Sequence, residues 1–283
     1  MVSELNRPTS PPGRNPMENL PVMILCGGLG TRLHEESDVK PKPMVMIGDR
    51  PILWHIMKTY AAHGLKEFIV CLGYKGHVIK NYFLNYKTRS ADFTVALRDP
   101  ERIEYHNHPH NHPIEEDWRV TLAETGEHSQ TGARIRLAGQ RYVKTDCFFV
   151  TYGDGLGDVN ITALLAFHRA HGKIGTITGV RPPGRFGEMR ASADGCVHEF
   201  NEKPQVSDGL INGGFLVFQR EFLDRYLRAR DDEILEQEPL KRLASDGQLM
   251  VYQHGGFWQP MDTYREVKIL NELWASGQAP WSI

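Results

Sequence analysis

Residues 21–33 read PVMILCGGLGTRL, a short apolar run followed directly by a glycine-rich stretch. Residues 21–26 combine apolar and β-forming side chains and end at a glycine, which predicts a buried β-strand. The small residues that follow let backbone N–H groups approach a phosphate or a base edge, because no Cβ stands in the way. The spacing does not fit the dinucleotide-binding fingerprint, since Leu33 stands where the third glycine is needed, and no P-loop lysine follows. A turn that only joins a strand to a helix is the other interpretation.

Outward from this segment, short β-forming runs alternate with longer segments of helical period, which predicts an α/β fold. Gly64 and Gly172 stand where helix C-termini favour glycine. The predicted strands are 21–26, 67–72, 147–152 and 174–180, and the predicted helices are 52–63, 78–86 and 161–171. Three strands end at Gly27, Gly73 and Gly153, which places these glycines at the carboxyl edge of a parallel sheet, where open α/β folds bind ligands. We expect the first and third of these junctions to form the site.

The remaining residues predict additions to this core. Residues 92–124 contain short alternating stretches around a polar insert, and we expect them to form accessory strands outside the main sheet. Beyond residue 190, strands are predicted at 197–201, 214–218 and 249–254, and helices at 236–244 and 263–274. No linker interrupts residues 21–283, so we predict one domain: a mixed, mostly parallel Rossmann-like sheet flanked by helices, with a small accessory β element and a C-terminal layer. Residues 1–20 are rich in proline and are predicted to form a disordered arm.

Composition excludes several classes of function. The 283 residues carry 33 basic and 35 acidic side chains, a formal net charge of −2. No global positive field therefore attracts nucleic acid or an anionic membrane, and any bound anion must be held locally. No apolar run approaches the roughly 20 residues that a membrane-spanning helix needs. The four cysteines include no Cys-x-x-Cys pair, which favours reduced thiols and a cytoplasmic location.

A second motif follows within ten residues of Arg32, where residues 40–44 read KPKPM. The two prolines restrict the backbone and keep the lysines on a defined loop. Arg32 and Lys42 beside the glycine loop would form a local cationic pocket. Such a pocket suits a nucleoside triphosphate, because positive charge stabilises the phosphoryl group in transfer and the departing pyrophosphate. Solvated surface lysines are the alternative interpretation.

Taken with residues 27–33, this motif resembles the signature of the sugar-1-phosphate nucleotidyltransferases. Residues 34–37, His-Glu-Glu-Ser, depart from the Pro-x-Thr of the thymidylyl and uridylyl members and are similar to the glucose-1-phosphate cytidylyltransferase branch. Further motifs similar to that branch lie at 51–58, 73–76, 151–155, 182–187, 202–204, 211–215 and 256–263. The similarity runs from about residue 22 to residue 281 and is specific in combination, whereas the glycine loop alone is not.

The resemblance implies roles for individual residues, with the sugar-binding part from about residue 190 onward. The implied catalytic cations are Arg32, Lys42 and Lys203. The implied nucleotide-binding residues are Leu25, Cys26, Gly27, Gly28, Gly30, Thr31, Arg32, Lys42, Thr131, Arg134 and Gly153. The implied sugar-phosphate ligands are Tyr152, Glu202, Lys203, Asn212 and Gly213, and the implied Mg²⁺ ligands are Asp154 and Asp262.

Three of these residues have a structural alternative. Asp154 between two glycines is typical of a turn, and Asp262 before Tyr264 is typical of a helix N-cap. The alternative interpretation of Arg134 is a solvated residue in the first turn of a helix. At the neighbouring position, Ala133 replaces the second glycine of the Thr-Gly-Gly-Arg segment of the cytidylyltransferases.

The reaction that the resemblance implies is transfer of a cytidylyl group from CTP to glucose 1-phosphate, giving CDP-glucose and pyrophosphate. It needs no protein nucleophile, because a phosphate dianion is already nucleophilic and the protein must mainly align two anions and screen their repulsion. The resemblance also implies a homo-oligomer that supplies nucleotide sugar for surface polysaccharides such as O-antigen. The alternatives are another nucleotide (UTP or dTTP), another hexose 1-phosphate, or a catalytically inactive sugar-nucleotide sensor.

The resemblance to the nucleotidyltransferases assigns no role to one motif. Residues 106–113 alternate histidine with asparagine and proline. Histidine-rich tracts sometimes ligate transition metals, but the prolines favour an extended surface loop that is solvent-exposed or contacts another subunit.

Overall fold

The computed structural model describes residues 19–28, 40–106, 116–182, 188–192, 197–201 and 209–282. The predicted arm 1–20 lies outside these residues except for its last two, and so does nearly all of the histidine-rich segment. The strands are β1 (Pro21–Cys26), β2 (Met46–Ile47), β3 (Arg50–Pro51), β4 (Glu67–Leu72), β5 (Asp92–Ala96), β6 (Asp99–His106), β7 (Arg119–Glu124), β8 (Cys147–Tyr152), β9 (Gly155–Gly157), β10 (Gly175–Val180), β11 (Glu188–Ala191), β12 (Val197–Asn201), β13 (Ile211–Gln219), β14 (Leu249–His254) and β15 (Trp258–Pro260).

Six of the seven helices lie between these strands along the chain, and the last one follows the final strand. They are α1 (Ile52–Ala62), α2 (Gly76–Leu84), α3 (Thr131–Tyr142), α4 (Ile161–His171), α5 (Phe222–Arg225), α6 (Glu238–Ser245) and α7 (Tyr264–Ala275), and Lys42–Met44 forms a 3-10 turn. Two of the predicted glycine stops are confirmed. Gly172 ends α4 with φ +63° and Gly64 follows α1 with φ +88°, backbone conformations that glycine adopts without a steric penalty.

The central sheet has seven strands in the order β14-β10-β13-β8-β1-β4-β7. Strand β13 runs antiparallel to both of its neighbours, and the other adjacent pairs are parallel. The predicted mixed, mostly parallel α/β sheet is therefore confirmed. Strands β13 and β14 belong to this sheet, so the C-terminal third completes the central sheet, and α7 then packs beside the β2–β3 hairpin.

One prediction in the middle of the chain is wrong. Residues 119–124 form β7, which pairs parallel with β4 at the edge of the main sheet, with Val120 opposite Phe68 and Leu122 opposite Val70. The accessory element is instead the β5–β6 hairpin. The sequence of 119–122 alternates polar and apolar residues, as it would in a separate strand pair, so this pattern did not distinguish the two.

Both faces of the central strands are buried. In β1, Val22 and Ile24 pack into the core on one side of the sheet, whereas Met23 and Leu25 pack into the core on the other side. Such two-sided burial explains the continuous apolar run at residues 21–26. No helix of the described residues is long and apolar enough to cross a membrane. The three described cysteines, Cys26, Cys71 and Cys147, are buried free thiols, as predicted.

Candidate active site

A pocket of about 220 Å³ opens at the carboxyl ends of β1 and β8, the edge where the glycine junctions were expected to form a site. Leu25 lies opposite Tyr152 in the parallel register, which brings the two strand ends level. The pocket is lined by Leu25, Cys26, Gly27, Gly28, Lys42, Pro43, Ser129, Gln130, Thr131, Arg134, Tyr152, Gly153 and Asp154. A Cβ on Gly153 would lie 2.9 Å from the carbonyl oxygen of Leu25, so only glycine permits this approach.

Lys42 is the cationic centre of the site. Its ammonium donates hydrogen bonds to Asp154 Oδ2 at 2.7 Å and to Asp262 Oδ1 at 2.5 Å, and its side chain is 13% exposed. Burial alone would lower the pKa of Lys42, but the two carboxylates outweigh burial and raise it above its usual range. Lys42 is therefore a charged ammonium in contact with both predicted metal ligands, and the interpretation of it as a solvated surface lysine is wrong.

The two aspartates are held by a small sheet and a helix start. Strands β9 and β15 pair antiparallel, and the carbonyl oxygen of Asp154 accepts a hydrogen bond from Met261 N at 2.8 Å. Asp262 follows directly, and its N–H donates to Glu266 Oε2 at 2.6 Å. The N-cap of α7 is Thr263, which forms a capping box with Glu266. Because Thr263 caps the helix, the carboxylate of Asp262 is left to bind Lys42, and the expectation of Asp262 as an N-cap is wrong.

The arrangement fits a divalent cation by the chemistry of its donors. Two carboxylates from segments far apart in sequence converge on one point, which is now taken by the Lys42 ammonium. Magnesium in phosphate-transfer sites is commonly held by one or two carboxylates together with substrate phosphates. Among the described residues, no group of three or more His, Cys, Asp and Glu side chains forms a metal-binding cluster. Asp154 and Asp262 would hold such an ion together with phosphate oxygens.

Arg134 is buried in the wall of the pocket, where it is 4% exposed, so the interpretation of it as a solvated residue is wrong. Its guanidinium joins loops that leave three neighbouring strands. It donates at 2.7–3.2 Å to the carbonyl oxygens of Leu72, Gly126, Glu127 and Gly27 and to the hydroxyl of Thr125. A Cβ on Gly27 would lie 2.2 Å from Arg134 Cζ, and a Cβ on Gly73 would lie 2.4 Å from its Nη1. Two of the three junction glycines are thus required by the position of this one arginine.

Glu236, which the motifs did not identify, links Thr131 and Tyr152 across the pocket. Its Oε1 accepts a short hydrogen bond from the hydroxyl of Tyr152, and its Oε2 accepts one from Thr131 Oγ1 at 2.8 Å. Asn212 Nδ2 donates to the Tyr152 oxygen at 3.1 Å. Burial, reinforced by Glu236, raises the pKa of Tyr152, so its hydroxyl remains protonated and donates to Glu236. One carboxylate therefore joins a residue assigned to the nucleotide and a residue assigned to the sugar phosphate.

The backbone beside Tyr152 also needs glycine. Gly214 has φ +83°, and a Cβ there would lie 2.6 Å from the Tyr152 ring. The carbonyl oxygen of Gly213 accepts a hydrogen bond from Trp258 Nε1 at 2.8 Å, which ties β13 to β15. Asn212 thus contacts the Tyr152 hydroxyl and Gly214 packs against its ring, whereas Gly213 binds Trp258, and neither Asn212 nor Gly213 lines the pocket itself.

Cys26 lines the pocket but is not an available nucleophile. Burial raises the pKa of its thiol well above the usual range, and Cys71 and Asp154 act in the same direction. The side chain is 1% exposed. A neutral, buried thiol is poorly suited to covalent catalysis.

The structure brings together most of the predicted site residues that it describes. Five predicted residues, Gly30, Thr31, Arg32, Glu202 and Lys203, lie outside the described residues. Sequence reasoning missed Ser129, Gln130 and Pro43, which line the pocket, and Glu236, which binds two of the lining residues. Pro43 stands in the lysine motif and was recognised only for its effect on the backbone.

The comparisons with known proteins agree with this geometry. The sequence profile of the family described as Nucleotidyl transferase matches residues 21–263. The chain belongs to the nucleotidyl transferase family. The enzyme is 51% identical over 260 residues to the glucose-1-phosphate cytidylyltransferase of Salmonella typhi, an alignment that covers 92% of this chain and 97% of that protein. The resemblance to this branch, stated from the motifs, is confirmed.

Two further proteins extend the comparison. The enzyme is 42% identical over 261 residues to the probable glucose-1-phosphate cytidylyltransferase of Bacillus subtilis (strain 168), covering 92% of this chain and 98% of that protein. The crystal structure of HddC from Yersinia pseudotuberculosis matches with a TM-score of 0.64 at 22% identity, covering 90% of this chain and 99% of that one. This last similarity concerns the fold alone.

Proposed function

We propose that the enzyme transfers the cytidylyl group of CTP to α-D-glucose 1-phosphate, giving CDP-glucose and pyrophosphate. The observation that carries the proposal is the convergence of Lys42, Asp154 and Asp262 at the glycine-lined edge of the sheet. A sensor needs neither a buried ammonium nor paired carboxylates, whereas transfer between two anions needs both kinds of charge. The specific substrates are supported by the relatives that are 51% and 42% identical.

The chemistry is a direct displacement at phosphorus. An oxygen of the sugar phosphate forms a bond to the α-phosphorus of CTP while the bond from that phosphorus to the bridging oxygen breaks. The bonding electrons leave with pyrophosphate. Alignment of the two reactants supplies much of the rate increase, because it removes the entropic cost of bringing them together.

Different residues of the pocket bind the phosphates, the cation and the nucleotide. Lys42 neutralises phosphate charge, with Arg32 and Lys203 assigned to the same task by the motifs. Asp154 and Asp262 would hold Mg²⁺, which supplies Lewis-acid stabilisation of the phosphate oxygens when it is bound. Thr131 and the backbone of Gly27 and Gly28 line the nucleotide side of the pocket.

On the sugar side, Tyr152 and Asn212 present polar groups at the end of β8 and at the start of β13. Glu202 and Gly213 complete the sugar side by resemblance. Hydroxyl-rich sugars are selected by such fixed polar partners, since a partner left unpaired in a buried site is costly.

The first test is pyrophosphate release with glucose 1-phosphate and Mg²⁺, comparing CTP, UTP, dTTP, ATP and GTP at equal concentration. Strong preference for CTP is the expected result. Preference for another nucleotide would keep the reaction and overturn the base assignment. Absence of release with every nucleotide, across other hexose 1-phosphates as well, would favour an inactive sensor. Omission of Mg²⁺ with chelator present tests the metal requirement, and turnover that persists would contradict it.

The proposal also includes a homo-oligomeric, cytoplasmic enzyme that supplies nucleotide sugar for surface polysaccharides, with no nucleic-acid or membrane partner. The three buried free thiols suit a reducing compartment. Light scattering of the purified protein would measure its oligomeric state, and a monomer mass would contradict the first part of this assignment.

A further inference from the structure

The position of the Lys42 ammonium raises a conflict within the site. It lies within 2.7 Å of carboxylate oxygens from both Asp154 and Asp262. This is also the point where the two carboxylates would hold a divalent cation together. An ammonium and a divalent cation cannot occupy one point, so one must leave when the other binds.

The carboxylate pair is the fixed part of this arrangement. The hydrogen bond from Met261 N to the Asp154 carbonyl and the β9–β15 pairing hold the two backbones side by side. Glu266 holds the N–H of Asp262 at the start of α7. Two carboxylates held this close repel each other unless a positive charge lies between them. A positive charge between Asp154 and Asp262 therefore stabilises the pair before any nucleotide is bound.

Lys42 is the part that can move. Its backbone is held in the loop by Pro41 and Pro43, and the carbonyl of Lys42 accepts a hydrogen bond from Val45 N. The four-carbon stem of a lysine gives its ammonium several ångströms of reach from a fixed backbone. Lys42 lines the same pocket as Gly27 and Gly28, where nucleotide phosphates are expected.

We propose that Lys42 is the resident cation of the nucleotide-free enzyme. It holds Asp154 and Asp262 together, and it yields its place to the divalent cation when nucleotide phosphates offer its ammonium a new partner. The cation and the nucleotide then bind in a coupled manner, because each favours the same displacement of Lys42. Such coupling is reciprocal, so the nucleotide strengthens cation binding by the factor by which the cation strengthens nucleotide binding.

This inference rests on the proposed function only in taking Asp154 and Asp262 as cation ligands. Its test therefore uses the full chain without nucleotide or sugar phosphate, with Mn²⁺ alone as the probe. Binding is followed by electron paramagnetic resonance of free Mn²⁺ and by isothermal titration calorimetry. Wild-type protein is expected to bind Mn²⁺ weakly, because Lys42 competes for the site.

Removal of the ammonium gives the decisive comparison. Lys42→Gln keeps a hydrogen-bond donor of similar length without the charge, and Lys42→Met removes both. Each is expected to bind one Mn²⁺ at least about tenfold more tightly than wild type, since an ion-paired charge at contact distance is lost. Lys40→Gln, two residues away in the same loop, removes an equal charge and is expected to leave Mn²⁺ affinity within about twofold. Adding Asp154→Asn to Lys42→Gln should abolish the gain.

Each result bears on the proposal by itself. Equal Mn²⁺ affinity in wild type and Lys42→Gln would overturn it, and so would an equal gain in Lys40→Gln. Circular dichroism shows whether the Lys42 variants fold, and if they do not, the wild-type measurement decides. Tight Mn²⁺ binding by wild type without nucleotide would overturn the proposal if Asp262→Asn abolishes that binding. Weak Mn²⁺ binding by wild type would support the proposal. Because no substrate is present, none of these results depends on whether CTP is the nucleotide used.

Discussion

The carboxylate of Glu236 binds Thr131 with one oxygen and Tyr152 with the other, so it connects the nucleotide side and the sugar side of the pocket. We expect Glu236→Ala to raise KM for both CTP and glucose 1-phosphate by about tenfold, the equivalent of one lost hydrogen bond to a charged group on each side. The reason is that Thr131 and Tyr152 both lose their acceptor. Steady-state kinetics with each substrate varied in turn measures both effects.

Two variants separate this role from a general loss of structure. Asn212→Ala removes a hydrogen-bond partner of Tyr152 and of Gly214 N but none of Thr131, so it should raise KM for the sugar phosphate more than KM for the nucleotide. Glu238→Ala removes an equal charge two residues from Glu236 and should change neither value. A Glu236→Ala effect confined to kcat, with both KM values unchanged, would contradict the connecting role.

At the scale of elements, the start of α7 positions one of the two aspartates. Glu266 accepts hydrogen bonds from the N–H groups of Asp262 and Thr263, whereas Thr263 caps the helix from the other side. We expect Thr263→Ala to cost about 1 kcal/mol of the free energy of unfolding, as N-cap removal commonly does. Glu266→Ala should cost a similar amount but also raise the Mg²⁺ concentration needed for half-maximal turnover, because it releases the backbone of Asp262.

The conservative variant supplies the control for this prediction. Glu266→Gln keeps an acceptor oxygen and should restore most of the Mg²⁺ affinity. Urea unfolding measures stability, and turnover as a function of Mg²⁺ concentration measures the effect on the site. If Thr263→Ala and Glu266→Ala raise the Mg²⁺ requirement equally, α7 acts on the site only through its stability.

Local sequence patterns predicted the bounds of individual elements better than their pairing in the sheet. The strands at 21–26, 67–72, 147–152 and 249–254 and the helix 161–171 have their predicted bounds, because apolar runs, apolar–polar alternation and glycine stops mark where such elements begin and end. Residues 119–124 were recognised as a strand but assigned to the accessory element, because a local pattern does not encode which strand it pairs with. Strands β9 and β15 were not predicted, since three residues are too few to show the apolar–polar alternation that identifies a strand.

In the candidate site too, residues within local motifs were predicted, and residues placed by the fold were missed. Lys42, Asp154 and Asp262 were predicted because they lie in motifs, and the fold brings them together. Glu236 was missed because its position depends on how the segment before α6 returns to the end of β8, which no local pattern encodes. The buried position of Arg134 follows from three loops that meet at the sheet edge, so its environment was visible only in the folded structure.

At the scale of the whole molecule, a buried histidine joins α4 to the central sheet. His168 Nδ1 lies 2.8 Å from Thr176 Oγ1 in β10, and its Nε2 lies 3.1 Å from Gln219 Nε2 at the end of β13. Burial lowers the pKa of His168 to about 4, and His171 and Arg169 act in the same direction. The ring is therefore neutral at pH 7 in the folded protein, whereas in the unfolded chain it titrates near pH 6.5.

This difference predicts acid-sensitive stability. Between pH 6.5 and pH 4 the unfolded chain binds a proton that folded His168 does not, so the free energy of unfolding falls as the pH is lowered through that window. The contribution is fully present above pH 6.5, and its loss between pH 7.5 and pH 4.5 is on the order of 2 kcal/mol. Burial also lowers the pKa of His171, which adds a smaller effect of the same sign.

Urea unfolding at a series of pH values measures the slope. In His168→Gln the decrease in the free energy of unfolding between pH 7.5 and pH 4.5 should be smaller than in wild type by about 2 kcal/mol, although the variant starts less stable at pH 7.5. His77→Gln, on the exposed face of α2, should leave the slope unchanged. Because His168 contacts both β10 and β13, the effect should appear in the global transition of the central sheet. An unchanged slope in His168→Gln would mean that this histidine already accepts its proton in the folded protein, at a pKa close to that in the unfolded chain.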